Sequence, residues 1–116
     1  MFLSAKTAKL KSVIPQAKIQ KAVQILAETA KPKQIILFGS YATGQAHEDS
    51  DLDFLVIKET IKNHDEEIVD LELALLPLGI SKDILLASNK DINEWGHLVG
   101  SGALYWALKE GRVVYD

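Results

Sequence analysis

The run Ile35-Ile36-Leu37-Phe38-Gly39-Ser40, followed after ten residues by Asp51-Leu52-Asp53-Phe54-Leu55-Val56-Ile57, decides how this chain is read. Ile35 to Phe38 form an uninterrupted apolar run that reads as a buried strand, and Leu52 to Ile57 read as a second. Gly39 and Ser40 therefore fall where one strand ends, and Asp51 and Asp53 at or just inside the start of the next. Side chains alternate faces along a strand, so the two carboxylates share one face while Leu52 and Phe54 take the other. Carboxylates a few ångströms apart repel by about 3–4 kcal/mol at an effective dielectric of ~20. A fold rarely keeps that repulsion beside an apolar strand unless a cation sits between the charges. The pair reads as a divalent-metal site.

The turn before it suits phosphate. Gly39 lets the backbone approach a ligand closely, and the N–H groups that open the following helix, with the Ser40 hydroxyl, can hold phosphate oxygens. Gly and Ser are also common punctuation at strand-to-helix turns, and the aspartates are what lift this turn above punctuation. Two rival motifs fail. Gly39 and Gly44 have P-loop spacing, but Gln45 and Ala46 stand where Lys and Ser/Thr are required. Asp49, Asp51 and Asp53 imitate the start of an EF-hand loop, yet Phe54 occupies its glycine position and Thr60 its closing glutamate position.

Gly39-Ser40-Tyr41-Ala42-Thr43-Gly44 and Ser50-Asp51-Leu52-Asp53, with Tyr41 to Ser50 as spacer, resemble the motif of the DNA polymerase beta-like nucleotidyltransferases. More narrowly, they resemble the small single-domain minimal nucleotidyltransferases. The small size and the ending Lys109-Glu110-Gly111-Arg112-Val113-Val114-Tyr115 are similar too, so the resemblance spans nearly the whole chain. It implies an α/β (α+β) fold, a small mixed β-sheet with helices packed mainly on one side. It also implies transfer of a nucleoside monophosphate, AMP from ATP in the first instance, to an acceptor hydroxyl with release of pyrophosphate. Two Mg²⁺ ions are implied, with Asp51 and Asp53 as ligands, and Gly39 and Ser40 holding the β and γ phosphates. Such chemistry asks for a further carboxylate from a neighbouring strand. Asp83, which opens Asp83-Ile84-Leu85-Leu86, stands where the resemblance puts that third ligand and acceptor-activating group. A solvated acid at a strand start is the plain alternative. One departure matters: many members of the family have a basic residue near position 43, and here it is Thr43. Either a lysine from the N-terminal half substitutes or the grip on nucleotide is modest.

Along the chain, Met1 to Ile14 have weak periodicity and read as a mobile arm or a short helix. Pro15 suits the first turn of a helix, and Ile19, Ala22, Val23, Leu26 and Ala30 give it one apolar stripe before Lys31-Pro32 ends it. Ser40 to Thr43 open a short helix that Gly44 ends, and Gln45 to Ser50 make a polar loop. Asn63 with Glu66 looks like a capping box for a long helix with Ile68, Leu71 and Leu75 on its buried face, stopped by Pro77. A third strand over Asp83 to Ala87, a helix over Ser101 to Glu110 and a final strand over Val113 to Tyr115 complete a single domain, residues 1–116. His47 reads as a solvent-facing loop residue. Trp95, Tyr105 and Trp106 read as core or interface, and Tyr41 as a weak candidate for flanking a nucleotide.

The 116 residues, 47% hydrophobic and 25% charged, are ordinary for a globular domain with a real core. No apolar run approaches the ~20 residues of a membrane span. Without cysteine there is neither a disulfide framework nor a thiolate metal site, which fits a cytoplasmic protein. The net charge of −3 argues against direct nucleic-acid binding, although residues 1–47 carry seven lysines against the single acid Glu28. Larger relatives grip the acceptor with a second domain, whereas only about thirty residues (84–116) follow Asp83. The acceptor surface is therefore expected from elsewhere. Proteins that look like this are typically antitoxins paired with a helical HEPN-domain toxin with RNase activity, and some are thought to silence it by attaching AMP to a toxin tyrosine. The competing reading is a binding module that neutralises its partner by burial alone. Homo- and hetero-oligomers both stay open.

Overall fold

A computed structural model describes residues 13–116. Apart from Val13 and Ile14, the expected N-terminal arm lies outside the described residues. Helix α1 (Gln16–Ala30) starts from Pro15, whose extended backbone lets its carbonyl accept from the Lys18 and Ile19 N–H groups. It ends at Lys31, which takes the left-handed conformation (φ 48°) and returns its N–H to the Ala27 carbonyl. Its buried stripe is Ile19, Ala22, Leu26 and Ala30. Strand β1 (Gln34–Phe38) follows, then the one-turn helix α2 (Ser40–Thr43), which Gly44 closes in a left-handed conformation. A loop leads to β2 (Leu52–Lys58), helix α3 (His64–Leu75) and a 3₁₀ turn containing Pro77, and then β3 (Lys82–Ser88). Helix α4 (Asn89–Trp95), a second 3₁₀ turn (Val99–Ser101), helix α5 (Ala103–Glu110) and β4 (Arg112–Tyr115) complete the chain.

The sheet order is β3-β2-β1-β4. β1 lies antiparallel to both β2 and β4, while β2 and β3 run parallel and are joined by the crossover helix α3. The sheet is therefore mixed, as expected, and alternation along its strands builds two cores. On one face Ile35, Leu37, Leu52, Phe54, Val56 and Leu86 pack with α1 and α3. On the other, Ile36, Leu55, Ile57 and Ala87 pack with Ala107 and with Ile92, Leu104 and Leu108 of α4 and α5. The expectation that helices lie mainly on one side holds for the two longest only. The short α4 and α5 cover the second face, because Leu55, Ile57 and Ala87 make that face apolar as well.

Helix α4 is absent from the sequence reading. Its start carries a reciprocal cap, Ser88 Oγ accepting from the Asp91 N–H and Asp91 Oδ2 accepting from the Ser88 N–H. The cap expected on α3 is half correct. Asn63 Oδ1 accepts from the Glu66 N–H at 3.1 Å, but Glu67 Oε2, not Glu66, accepts from the Asn63 N–H. Trp95 and Trp106 are not core: they are 54% and 46% exposed. Among the described residues no helix is long and apolar enough to cross a membrane.

Candidate active site

The site is built from the carboxyl end of β1 and the amino ends of β2 and β3. Doubly wound sheets gather ligands at the carboxyl ends of parallel strands; here the antiparallel β1 puts a strand-to-helix turn beside the starts of two parallel strands. The ladder pairs Phe38 with Asp53 and Asp53 with Asp83, so three side chains from adjacent strands share one face of the sheet. That face is the one α4 and α5 cover further along, at Leu55 and Ala87. Leu52 and Phe54 point to the opposite core and are fully buried, as alternation predicted.

Gly39 turns the chain with φ 75° and ψ −156°, a conformation that favours glycine. A Cβ at this position would collide with Asp53 Oδ2. The missing side chain thus makes the space in which the Asp53 carboxylate sits. That carboxylate is half-buried, and its pKa is pushed up from 3.8 to about 6. Desolvation is the largest cause, followed by the negative charges of Asp83 and then Asp51. All three expected carboxylates are therefore close enough to feel one another through Asp53. Asp51 is also held from the side by the Ser81 hydroxyl, which donates to its Oδ1, while the Leu52 N–H donates to the Ser81 carbonyl at 2.9 Å. Sequence reading missed Ser81, because a serine after a glycine-containing turn reads as punctuation.

Other candidates resolve differently. The Tyr41 hydroxyl accepts from the Ile14 N–H at 2.9 Å, and its ring packs on the main core, so it anchors the segment entering α1. His47 staples its own loop: its Nδ1 accepts from the Asp49 N–H and its N–H donates to Ser50 Oγ. Lys33 cannot substitute for a basic residue at Thr43. It pairs with Glu59 at 3.1 Å and precedes β1, at the other end of the strand from Gly39.

The donors fit a hard cation. Asp51 and Asp53 offer oxygen ligands whose mutual repulsion a divalent ion would relieve. Among the described residues no three carboxylates or imidazoles form a ready-made cage. Mg²⁺ does not need one, since it keeps several waters and is usually held by one or two carboxylates plus substrate phosphates.

The family described as "Polymerase beta, Nucleotidyltransferase" matches residues 20–116, which include the whole site. This chain belongs to that family. A Methanocaldococcus jannaschii protein named "Putative protein adenylyltransferase" is 36% identical over 88 residues, covering 72% of this chain and 78% of its own. A solved structure of a Sulfolobus solfataricus protein, titled a putative nucleotidyltransferase, covers 87% of this chain and 88% of its own at 17% identity. Its TM-score is 0.44, too low a likeness to bear on the fold. The mixed sheet with Gly39-Ser40 and the aspartates at one end is that of a nucleotidyltransferase, and the chain is an enzyme of that class.

Proposed function

We infer that this nucleotidyltransferase moves AMP from ATP to a hydroxyl of a partner protein, with Mg²⁺ bound at Asp51 and Asp53. The observation that carries the reading is the placement of Asp51, Asp53 and Asp83 on one sheet face, beside a glycine whose missing side chain seats the central carboxylate. Mg²⁺, when bound there, would neutralise charge on the phosphates and position them. Gly39 and Ser40 present the open backbone at the start of α2 to the β and γ phosphates. Asp83, exposed at the rim, would accept the proton of the attacking hydroxyl. Positioning and charge neutralisation are most of what such a reaction requires.

A protein acceptor is supported by the name of the 36% identical relative. It is supported also by the exposed Trp95, Leu98, Val99 and Trp106, contributed by α4, α5 and the turn between them, the elements that cover the face bearing the aspartates. The sequence resemblance points to a helical HEPN-domain RNase toxin as that acceptor and to a cytoplasmic antitoxin role for this chain. Incubation with ATP, Mg²⁺ and the product of the neighbouring gene, followed by intact-mass spectrometry, tests the reading. The partner should gain the mass of one AMP residue, and the double variant Asp51→Asn/Asp53→Asn should leave it unmodified. A partner that binds tightly, stays unmodified and is neutralised equally well by the double variant would mean that this chain acts by burial alone.

A further inference from the structure

Strand β3 enters the site through Gly79 to Asp83. The parallel ladder pairs Leu52 with Lys82 and Asp53 with Asp83, and it continues one step earlier, where the Leu52 N–H donates to the Ser81 carbonyl at 2.9 Å. Ser81 therefore lies beside Asp51 as Asp83 lies beside Asp53. Alternation along each strand puts Ser81 and Asp83 on the face that carries Asp51 and Asp53. The neighbours are of different kinds: Asp53 has a carboxylate beside it, and Asp51 has a hydroxyl.

The two aspartates are held by different means as a consequence. Asp53 sits in the space that Gly39 leaves, half-buried and facing the negative charges of Asp83 and Asp51. Asp51 precedes the first residue of β2, beyond the end of the β1–β2 ladder at Asp53, so β1 gives it no ladder neighbour and β3 gives it Ser81. Repulsion from Asp53 favours rotamers that turn Asp51 out to solvent. The Ser81 hydroxyl opposes this by donating to Asp51 Oδ1. Its own backbone is fixed. Before it, Gly79 closes the 3₁₀ turn and donates its N–H to the Leu76 carbonyl at 3.1 Å. After it, Lys82 reaches Glu72 of α3 at 2.9 Å on the other face of the sheet.

We propose that Ser81 is a positioning residue of the cation site, an inference that rests on the assignment of Mg²⁺ to Asp51 and Asp53 made above. With Oδ1 engaged by the serine, Asp51 keeps its Oδ2 and the remaining lone pair of Oδ1 for a cation. The carboxylate is ordered before the ion arrives, so binding does not have to order it. Partners that orient the ligands of a metal contribute to its affinity in this way. A hydroxyl suits the place better than a charged group. A further carboxylate would add like charge to a site where Asp53 already faces Asp83, and an ammonium would compete with the cation for Asp51. Ser81 acts through Asp51 and makes no contact of its own with the reacting atoms.

Titration of the full chain with Mn²⁺ alone, followed by electron paramagnetic resonance, tests this. Ser81→Ala should weaken Mn²⁺ binding ~10–100-fold, the usual scale for losing the partner of a metal ligand. Ser81→Thr keeps the hydroxyl on a branched side chain that suits a strand, and it should restore the affinity. Ser81 is exposed, so circular dichroism should report an unchanged fold for both variants. Asp51→Asn separates the proposal from the assignment beneath it. Wild type that binds no Mn²⁺, or equal binding by wild type, Asp51→Asn and Ser81→Ala, would remove the metal from Asp51 and take the proposal with it. Binding lost in Asp51→Asn but unchanged in Ser81→Ala would overturn the proposal alone, because Asp51 would then hold the ion unaided. A loss in Ser81→Ala that Ser81→Thr does not repair would make the serine a packing residue, and that also overturns the proposal.

Discussion

Asp53 holds the balance between fold and chemistry at this site. Its pKa of about 6 means that the folded protein binds this proton more tightly than the unfolded chain, whose carboxyl titrates near 3.8. The sign follows: metal-free protein gains stability as pH falls from 7 through about 6, and the gain is complete below the unfolded value. The expected outcome is a melting temperature of the metal-free protein that is higher at pH 5 than at pH 7. Asp53→Asn should raise the melting temperature at pH 7 and flatten that dependence. Mg²⁺ or Mn²⁺ should stabilise wild type at pH 7 and leave Asp53→Asn unmoved, and an equal shift in both would remove Asp53 from the metal site. Gly39→Ala probes the same carboxylate from the other side. A positive φ costs an L-residue about 1–3 kcal/mol, and the new Cβ would displace Asp53 as well. Denaturant titration should show that loss together with lost metal-dependent ATP binding. Much of this was legible in sequence, because period-two alternation alone puts Asp51 with Asp53 and sends Leu52 and Phe54 to the core. The dependence of Asp53 on Gly39 was not, since it arises only when β1 and β2 pair with Phe38 opposite Asp53.

At the scale of elements, helix α3 shows why caps read from sequence come out half right. Asn63 at its N-cap was visible, but two glutamates follow at adjacent positions and either could reach back. Glu67 does so because Lys58, at the end of β2, sits against it. Its carboxylate accepts from Lys58 Nζ and from the Lys62 and Asn63 N–H groups, which pull its pKa down from 4.5 to about 2. A lowered pKa contributes stability that is present above the unfolded value and lost as pH falls from about 4.5 towards 2. This window overlaps that of Asp53 only near pH 4 and has the opposite sign, so a pH series of thermal melts distinguishes the two. Glu67→Gln should cost about 1–2 kcal/mol at pH 7, near the charged hydrogen-bond range but reduced by partial solvent access. The difference from wild type should shrink towards pH 2. Helix α4 escaped notice for a related reason. Ser88 and Asp91 formed a cap in plain sight, but the seven-residue helix behind it is too short for a periodic stripe to show.

Taken whole, the molecule spreads its charged groups along the strands, and this bears on which carboxylate would serve as base in the proposed reaction. Asp83 opens β3 opposite Asp53, exposed at the rim where an acceptor would arrive. If it were lost, the next acids in sequence, Asp91 and Glu94, could not replace it. Both lie in α4, beyond the far end of β3, and seven strand residues span about 20 Å. Asp91 is moreover committed to the Ser88 cap. Sequence order makes these acids look interchangeable, and only the parallel register between β2 and β3 separates them. On the proposed reading, Asp83→Asn should therefore keep measurable Mg²⁺·ATP affinity, because Asp51 and Asp53 remain, while transfer falls ~100-fold or more, the usual scale for removing a general base. Titration calorimetry with a non-hydrolysable ATP analogue and single-turnover transfer with labelled ATP measure the two quantities separately. Transfer near the wild-type rate would show that the acceptor proton leaves without Asp83. Loss of nucleotide affinity in proportion to loss of transfer would make Asp83 a ground-state ligand instead of the base.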